Sequence, residues 1–531
     1  MQSQFTAAPS TVPHERSAFD RSFAVKTTAD VDMLIPVMAE EVLPGDTMNL
    51  HTSVVGRLYS RIKQSLMDSL YMDVFAFYVP DRLVWDNANA FLGERPDGNA
   101  PDPSTFTTPQ IDFNGNAAGV MSNFDYLGIP PSYGVNGQPV PVSALFFRAI
   151  AKIWSDWFRD GQRQDLPSGL VTDDGPDLFS IHQAVYPRGK TPNDYFASAL
   201  LQPYAGTPPV LNLGATAPVV STNAAFQTTG LSSGQYGTFG FYTPGYNPVA
   251  PSSGGAFTDG ESVVFRNNGS GVFPGLEVDL SSATPITLNA FREFTAINQL
   301  LELDNRGGFA RINEIVKSHF NVVIPDARLQ RAEFLASGSS EMSIHTIAST
   351  ETANLGSISG SFGTFATNLS FVHSFPEHGY VIVLACARPK LTYQQGIDKK
   401  FQRLTRYDRF WPTFAHLGEQ AVLESEIFAD DTAADNSAVF GYVPRHQEYR
   451  VSKDIITGKL RSDVAGSLDV FHLAQDFGAA PDNDDVFIKY DTPMSRIVAV
   501  TTEPHYLMDV YHKLNHVRPM PVFAIPGLTR I

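Results

Sequence analysis

Residues 399–411 read KKFQRLTRYDRFW, five cations against one acid, with Phe401, Tyr407, Phe410 and Trp411 interleaved. Lys and Arg neutralise phosphates whatever the base sequence, and aromatic rings stack on unpaired bases at about 1–3 kcal/mol each. Cations and rings in alternation are the composition of a surface for single-stranded nucleic acid. The competing reading is structural: Phe410 and Trp411 anchor a core strand, and the cations form ordinary ion pairs in a chain of net charge −17.

Other chemistry is thinly represented. The GKL at 458–460 lacks the upstream glycine and following Ser or Thr of a phosphate loop, and the sequence contains no HExxH or CxxC. His505, His512 and His516 could in principle meet at a metal, since His512 and His516 would lie on one side of a helix or strand. PDNDDV (481–486) begins like a calcium loop without its glycine or distal Glu, and reads as a solvated acidic turn. Asp430 and Asp431 would do acid–base work only if folding raised one pKa. The sole cysteine, Cys386, lies in the apolar run YVIVLACA (380–387), where a thiol packs as a small hydrophobe and no disulfide can form. No catalytic residue, metal or cofactor is assigned.

The elements that must position these residues are mostly strands. LYMDVFAFYVP (70–80), GYVIVLACARP (379–389), SLDVFHLA (467–474), SRIVAVTTEP (495–504), HYLMDVYHKL (505–514) and MPVFAIPG (520–527) are short apolar or aromatic runs closed by Pro, Gly or Asp. Without alternating strand–helix units they predict a mainly β antiparallel sandwich or jelly roll. Helices are expected on its connections: VSALFFRAIAKIWSDWFRD (142–160), LNAFREFTAINQLLELDN (288–305) after a Thr287 cap, and FARINEIVKSHF (309–320). No run approaches the roughly 20 apolar residues of a membrane span, and the N-terminus lacks a signal-peptide core, reading as an extended arm.

From Tyr204 to Thr258 there are 55 residues without Asp, Glu, Lys or Arg, although charged residues make up 18% of the chain. Flexible linkers seldom hold so many aromatics, so the segment is expected to be an ordered insertion packed on itself or on neighbouring copies.

Several blocks in order carry a family resemblance: EVLPGDT (41–47), MDSLYMDVFAFYVPDRLVWDN (67–87), DARLQRAEFL (326–335), LTYQQG (391–396), RYDRFWP (406–412), AHLGEQAV (415–422), ITGKLRS (456–462), LDVFHLAQDF (468–477) and RPMPVFAIPGL (518–528). The chain resembles the major capsid proteins of the gokushovirus branch of the Microviridae, phages with circular single-stranded DNA. The resemblance implies an eight-stranded antiparallel jelly roll of viral capsid type, with long loop insertions carrying a few helices. Sixty copies would close into a T=1 icosahedral virion shell through contacts at twofold, threefold and fivefold axes, assembled in the host cytoplasm. The implied partners are the enclosed DNA, an internal scaffolding protein, a DNA pilot protein and a host-cell receptor, without membrane insertion.

On this reading residues 1–30 are an arm, 31–203 the first part of the jelly roll, 204–284 a threefold protrusion, and 285–531 the second part with a C-terminal arm. Net charge averages over both faces of a shell, so an acidic subunit can turn a basic face to its genome. The candidates for that face are Lys399, Lys400, Arg403, Arg406 and Arg409 with Trp411, and Arg16, Arg21 and Lys26 of the arm. Tyr236, Phe241, Tyr242 and Tyr246 are the protrusion and receptor candidates. The alternative is a soluble jelly-roll module that binds glycans through those same aromatics.

Overall fold

The structure, a computed structural model, describes residues 15–94, 102–136, 140–190, 194–204, 206, 219–220, 277–278, 288–306, 312–350, 355, 358–431 and 436–523. Twelve strands of four residues or more carry its main body: β1 (Ser17–Asp20), β2 (Phe23–Ala29), β3 (Met33–Val42), β4 (Thr47–Leu58), β5 (Leu70–Pro80), β6 (Glu333–Glu341), β7 (Ser343–Ala348), β8 (Ile358–Ser374), β9 (Gly379–Pro389), β10 (Glu419–Leu423), β11 (Val439–Pro444) and β12 (Tyr506–Arg518). Three helices matter here: α1 (Leu145–Ile153), α2 (Leu288–Arg306) and α3 (Ile312–Phe320).

Two antiparallel sheets face each other. In one, β12 is flanked by β4 on one side and by β1 and β2 on the other, and the order continues through β8 to β7. The second sheet runs β6, β5, β9, β3 and ends on the two-residue strand Tyr186–Pro187. Alternation explains β12: Tyr506, Met508, Val510, His512, Leu514 and His516 point inward while Asp509, Tyr511, Lys513 and Asn515 face solvent. β9 is buried on both faces, which its unbroken apolar sequence requires. One face meets the other sheet; the opposite face is covered by α1, whose Leu145, Ala149, Ile150 and Ile153 pack with Ile382, Leu384 and Cys386. Burial pushes the Cys386 thiol up to about 12, so it stays protonated and inert. Gly56 is a packing necessity: a Cβ there would stand 2.2 Å from the Phe365 ring, which lies on that gap between strands.

Buried polar groups pin the connections. The fully buried Arg148 of α1 donates to Asp177, Asp173 and the Val84 carbonyl, and His182 shares Asp177 at 2.7 Å. Asp46, buried in the β3–β4 turn, accepts from the Leu43 amide at 2.9 Å and contacts His516 at 3.0 Å and Arg518 at 3.2 Å. The β3–β4 turn is thereby tied to the end of β12.

Several expectations change. Residues 17–29 of the expected arm are strands hydrogen-bonded to β12. The runs at 467–474 and 495–504 are not strands but a 3-10 turn at Asp469–Phe471 and a short helix at Met494–Ile497. Their Leu473, Ile497 and Val498 enter the core singly, as plugs under the sandwich rather than members of a ladder. MPVFAIPG is not a strand over 520–523, and its remainder and Thr287 lie outside the described residues. A second compact unit covers 206–301; within it Val219–Val220 pairs antiparallel with Glu277–Val278, and the first part of α2 follows.

His512 bonds Thr52 at 2.9 Å and the Val37 carbonyl at 3.1 Å inside the core, and burial lowers its pKa to about 4. The folded state therefore holds its proton less tightly than the unfolded chain, whose histidine titrates at about 6.5. Its contribution is fully present above about pH 6.5 and is lost as pH falls toward 4, about 2 kcal/mol between pH 7 and pH 5. Asp32 and Asp81, raised by burial to about 6, oppose it by favouring the fold as pH falls. Denaturant unfolding of His512→Gln is therefore expected to show a shallower loss of stability on acidification than wild type; equal slopes would remove His512 from the account.

Candidate nucleic-acid interface

The stretch 399–411 forms no strand. It runs over the surface through 3-10 turns at Lys399–Phe401, Arg406–Asp408 and Pro412–Phe414. Asp398 caps the first turn by accepting from the Lys400 amide at 3.1 Å. The lone acid, Asp408, caps the second, accepting from the Thr405 and Leu404 amides at 2.7 and 3.1 Å; these bonds hold its carboxyl below the usual range. Asp408 is thus committed to the backbone and not to its cationic neighbours.

The cations divide into two groups. Lys399 donates to Glu426 at 2.8 Å and to the Ala421 carbonyl at 2.7 Å, and Glu426 is inaccessible to solvent. Arg403 donates to Glu448 at 2.9 Å while its guanidinium lies 4.0 Å from the centre of the Tyr449 ring. Burial works against the charge on Glu448, but hydrogen bonds from Gln420 and Arg403 outweigh it and lower its pKa. These two cations compensate buried carboxylates and do not stand free on the surface. Lys400, Arg406 and Arg409 are the exposed ones. Arg406 sits 4.9 Å from the centre of the Trp411 ring, whose Nε1 donates to the Arg406 carbonyl at 3.0 Å.

The rings are not core anchors. Phe401 is 70% exposed and Leu404 88%, and Tyr407, Phe410, Trp411 and Leu417 are exposed beside them. Phe410 touches His446 edge-on at 5.3 Å. Beneath the loop Tyr195, Phe196, Val422, Ile427, Phe440, Val443 and Phe487 form a separate core cluster that includes the β10–β11 hairpin. The loop is a displayed surface on a rigid base.

The N-terminal candidates each have a partner in the sandwich. Lys26 pairs with Asp509, directly opposite on β12, at 2.7 Å; Arg21 pairs with Glu40 at 2.7 Å; Arg16 donates to the Gly45 carbonyl. Tyr236, Phe241, Tyr242 and Tyr246 lie outside the described residues. Asp430 and Asp431 stand in an exposed turn, and Asp484 of the acidic PDNDDV segment caps a short helix. His505 contacts Asp30, and among the described residues no group of side chains could hold a metal ion. The sequence reading missed Glu426 and Glu448 as the partners of the cationic stretch. They lie 27 and 45 residues away from the cations they bind, beyond any local signal.

A β sandwich that displays apolar and cationic side chains on long connections presents surface of the kind that marks interaction sites. The comparisons identify the family. Residues 8–528 match the family described as Capsid protein (F protein). Similar relatives are the capsid protein VP1 of Bdellovibrio phage phiMH2K, 38% identical over 99% of this chain and 98% of its own; that of Chlamydia phage 1, 32% identical over 100% and 98%; and that of Spiroplasma virus 4, 31% identical over 94% and 93%. The chain belongs to this family of phage capsid proteins, and the relatives are all of the Microviridae. It is a structural capsid protein, and its site of action is the virion. No helix among the described residues is long and apolar enough to cross a membrane.

Removing one partner of a buried pair leaves an uncompensated charge, which costs about 3–5 kcal/mol. Lys399→Met is expected to lower unfolding stability by that order, whereas Lys400→Ser, at an exposed position, should change it by about 0.5 kcal/mol or less. Chemical denaturation of the two variants checks the division; equal effects would contradict it.

Proposed function

We propose that this chain is the major capsid protein of a T=1 shell in which sixty copies enclose a circular single-stranded DNA genome. The subunit fold would be an eight-stranded jelly roll. Strand order supports this: β2, β12, β4 and β8 in one sheet and β3, β9, β5 and β6 in the other. The observation that carries the assembly reading is the apolar surface its connections expose, at Leu404, Ile455 and Phe320, which contact with other copies would cover. Lys400, Arg406 and Arg409 with Trp411 support a genome-facing role for the loop, with Lys399 and Arg403 fixing its base. Arg16, Arg21 and Lys26 would act through the edge of the first sheet.

The insertion, 204–284, whose first 55 residues hold no Asp, Glu, Lys or Arg, is assigned to the threefold protrusions and to the host receptor, with Tyr236, Phe241, Tyr242 and Tyr246 as its contact candidates. The division of the chain into a body and a unit at 206–301 supports treating it as separable. An internal scaffolding protein would guide assembly in the host cytoplasm, and a DNA pilot protein would be a minor component.

A shell of sixty 58.1 kDa chains has a protein mass of roughly 3.5 MDa, so the purified chain should sediment as such a particle; a stable monomer or trimer that binds sugar would overturn the reading. Replacing Lys400, Arg406 and Arg409 together with Ser should leave shells intact while weakening DNA retention. The affinity of the native surface should fall with salt at a log–log slope of about −0.7 per phosphate neutralised. Deleting 210–275 should spare folding of the subunit body, as read by its melting transition; an insoluble product would place the segment in the core.

A further inference from the structure

Beside the cationic loop lies a cavity of about 250 Å³. At roughly 30 Å³ per water it has room for about eight water molecules. Phe196, Tyr393 and Phe401 contribute rings to its wall, and Lys400, Lys453 and Arg461 contribute cations. Three carboxylates also line it, and each is matched: Glu426 by Lys399 at 2.8 Å, Asp398 by Lys400 at 3.5 Å and Asp454 by Lys390 at 2.5 Å.

Lys453 is the exception. Its ammonium lies 4.6 and 4.8 Å from the centres of the Tyr195 and Phe196 rings and has no hydrogen-bond or ion-pair partner among the described residues. Burial lowers its pKa, with Glu426 and Asp398 offsetting part of the effect. Arg461 is held by the Gln394 carbonyl at 3.0 Å and has no carboxylate partner among the described residues. A half-buried ammonium without a directly bonded acceptor among the described residues is costly, because the nearby Glu426 and Asp398 are already paired with other cations, and an anion entering the cavity relieves that cost.

We propose that this cavity seats one nucleotide of single-stranded DNA, its phosphate between Lys453 and Arg461 and its base against Phe401. The proposal rests on the genome-binding reading and adds a discrete seat to it. Continuity favours a nucleotide over an acidic side chain from a neighbouring copy. Phe401 and Lys400 belong both to the cavity wall and to the cationic loop, so the seat is continuous with the loop that carries Arg406, Arg409 and the Trp411 ring. An acidic peptide has no use for that row of rings.

The test uses the purified full-length chain and three probes: a short oligothymidine, an abasic strand of equal length and inorganic phosphate. Lys453→Met is expected to weaken both strands about tenfold, through loss of a charge-assisted contact, with an unchanged or higher melting temperature. Phe401→Ala, at an exposed position, should weaken the oligothymidine alone by roughly tenfold. Phosphate should compete only weakly, and if Lys453→Met fails to fold, Phe401→Ala carries the test.

Binding unchanged in the Lys453 and Phe401 variants but lost in an Arg406→Ser/Arg409→Ser double variant would end the cavity proposal and keep the loop as the DNA surface. Equal affinity for the abasic strand and oligothymidine, with Phe401→Ala silent, would reduce the cavity to a bare anion site and overturn the assignment. A wild-type chain that binds neither strand would end both this proposal and the genome-binding reading.

Discussion

The structure depends on the placement of β12. This strand comes from the far end of the chain, yet it is hydrogen-bonded to β4 on one side and to β1 and β2 on the other. Its inward row, from Tyr506 to His516, fills the space between the sheets. A register slip by one residue would turn that row to solvent and bring Asp509 and Lys513 into the core, so the pairing is strongly specified. The buried Asp46 fixes the same strand at its end, through His516 and Arg518.

Closure of this kind sends two long connections outward, between β5 and β6 and between β9 and β12. They have their own supports: the Arg148–Asp177–His182 network on one and the Tyr195–Phe440–Phe487 cluster under the other. The second connection carries the cationic loop. Its acids and bases are sorted by depth: Glu426 and Glu448 sit below and take Lys399 and Arg403, while Lys400, Arg406 and Arg409 remain at the surface. A chain of net charge −17 thus keeps a locally positive patch because the acid within that stretch, Asp408, is spent on backbone amides. In the proposed shell the apolar side chains displayed around the patch would contribute contacts between copies.

Legibility in the sequence followed how locally each element is determined. β5 and β9 match their predicted runs residue for residue, because burial on both faces gives each a nearly continuous apolar sequence; the buried Asp73 of β5 is taken up by Arg188 and by Arg388 of β9. Most of β12 showed through its alternation, and α2 through its helical spacing. β8 did not show: ISGSFGTFATNLSFVHS is rich in Gly and Ser and owes its strand to pairing with β4 and β7 on either side. The apolar runs at 467–474 and 495–504 misled because hydrophobicity reports burial and not ladder formation. At the candidate interface, composition identified the loop, but which cations are free depends on carboxylates distant in sequence. Lys453 and Arg461, outside the stretch, carried no local signal at all.

The most direct measurement is a three-dimensional reconstruction of the native particle at side-chain resolution. The account predicts a closed shell with the β sandwich as its wall and residues 399–411 on the surface facing the genome. A closed shell with that loop on its outer face, or preparations that contain only isolated subunits, would contradict it.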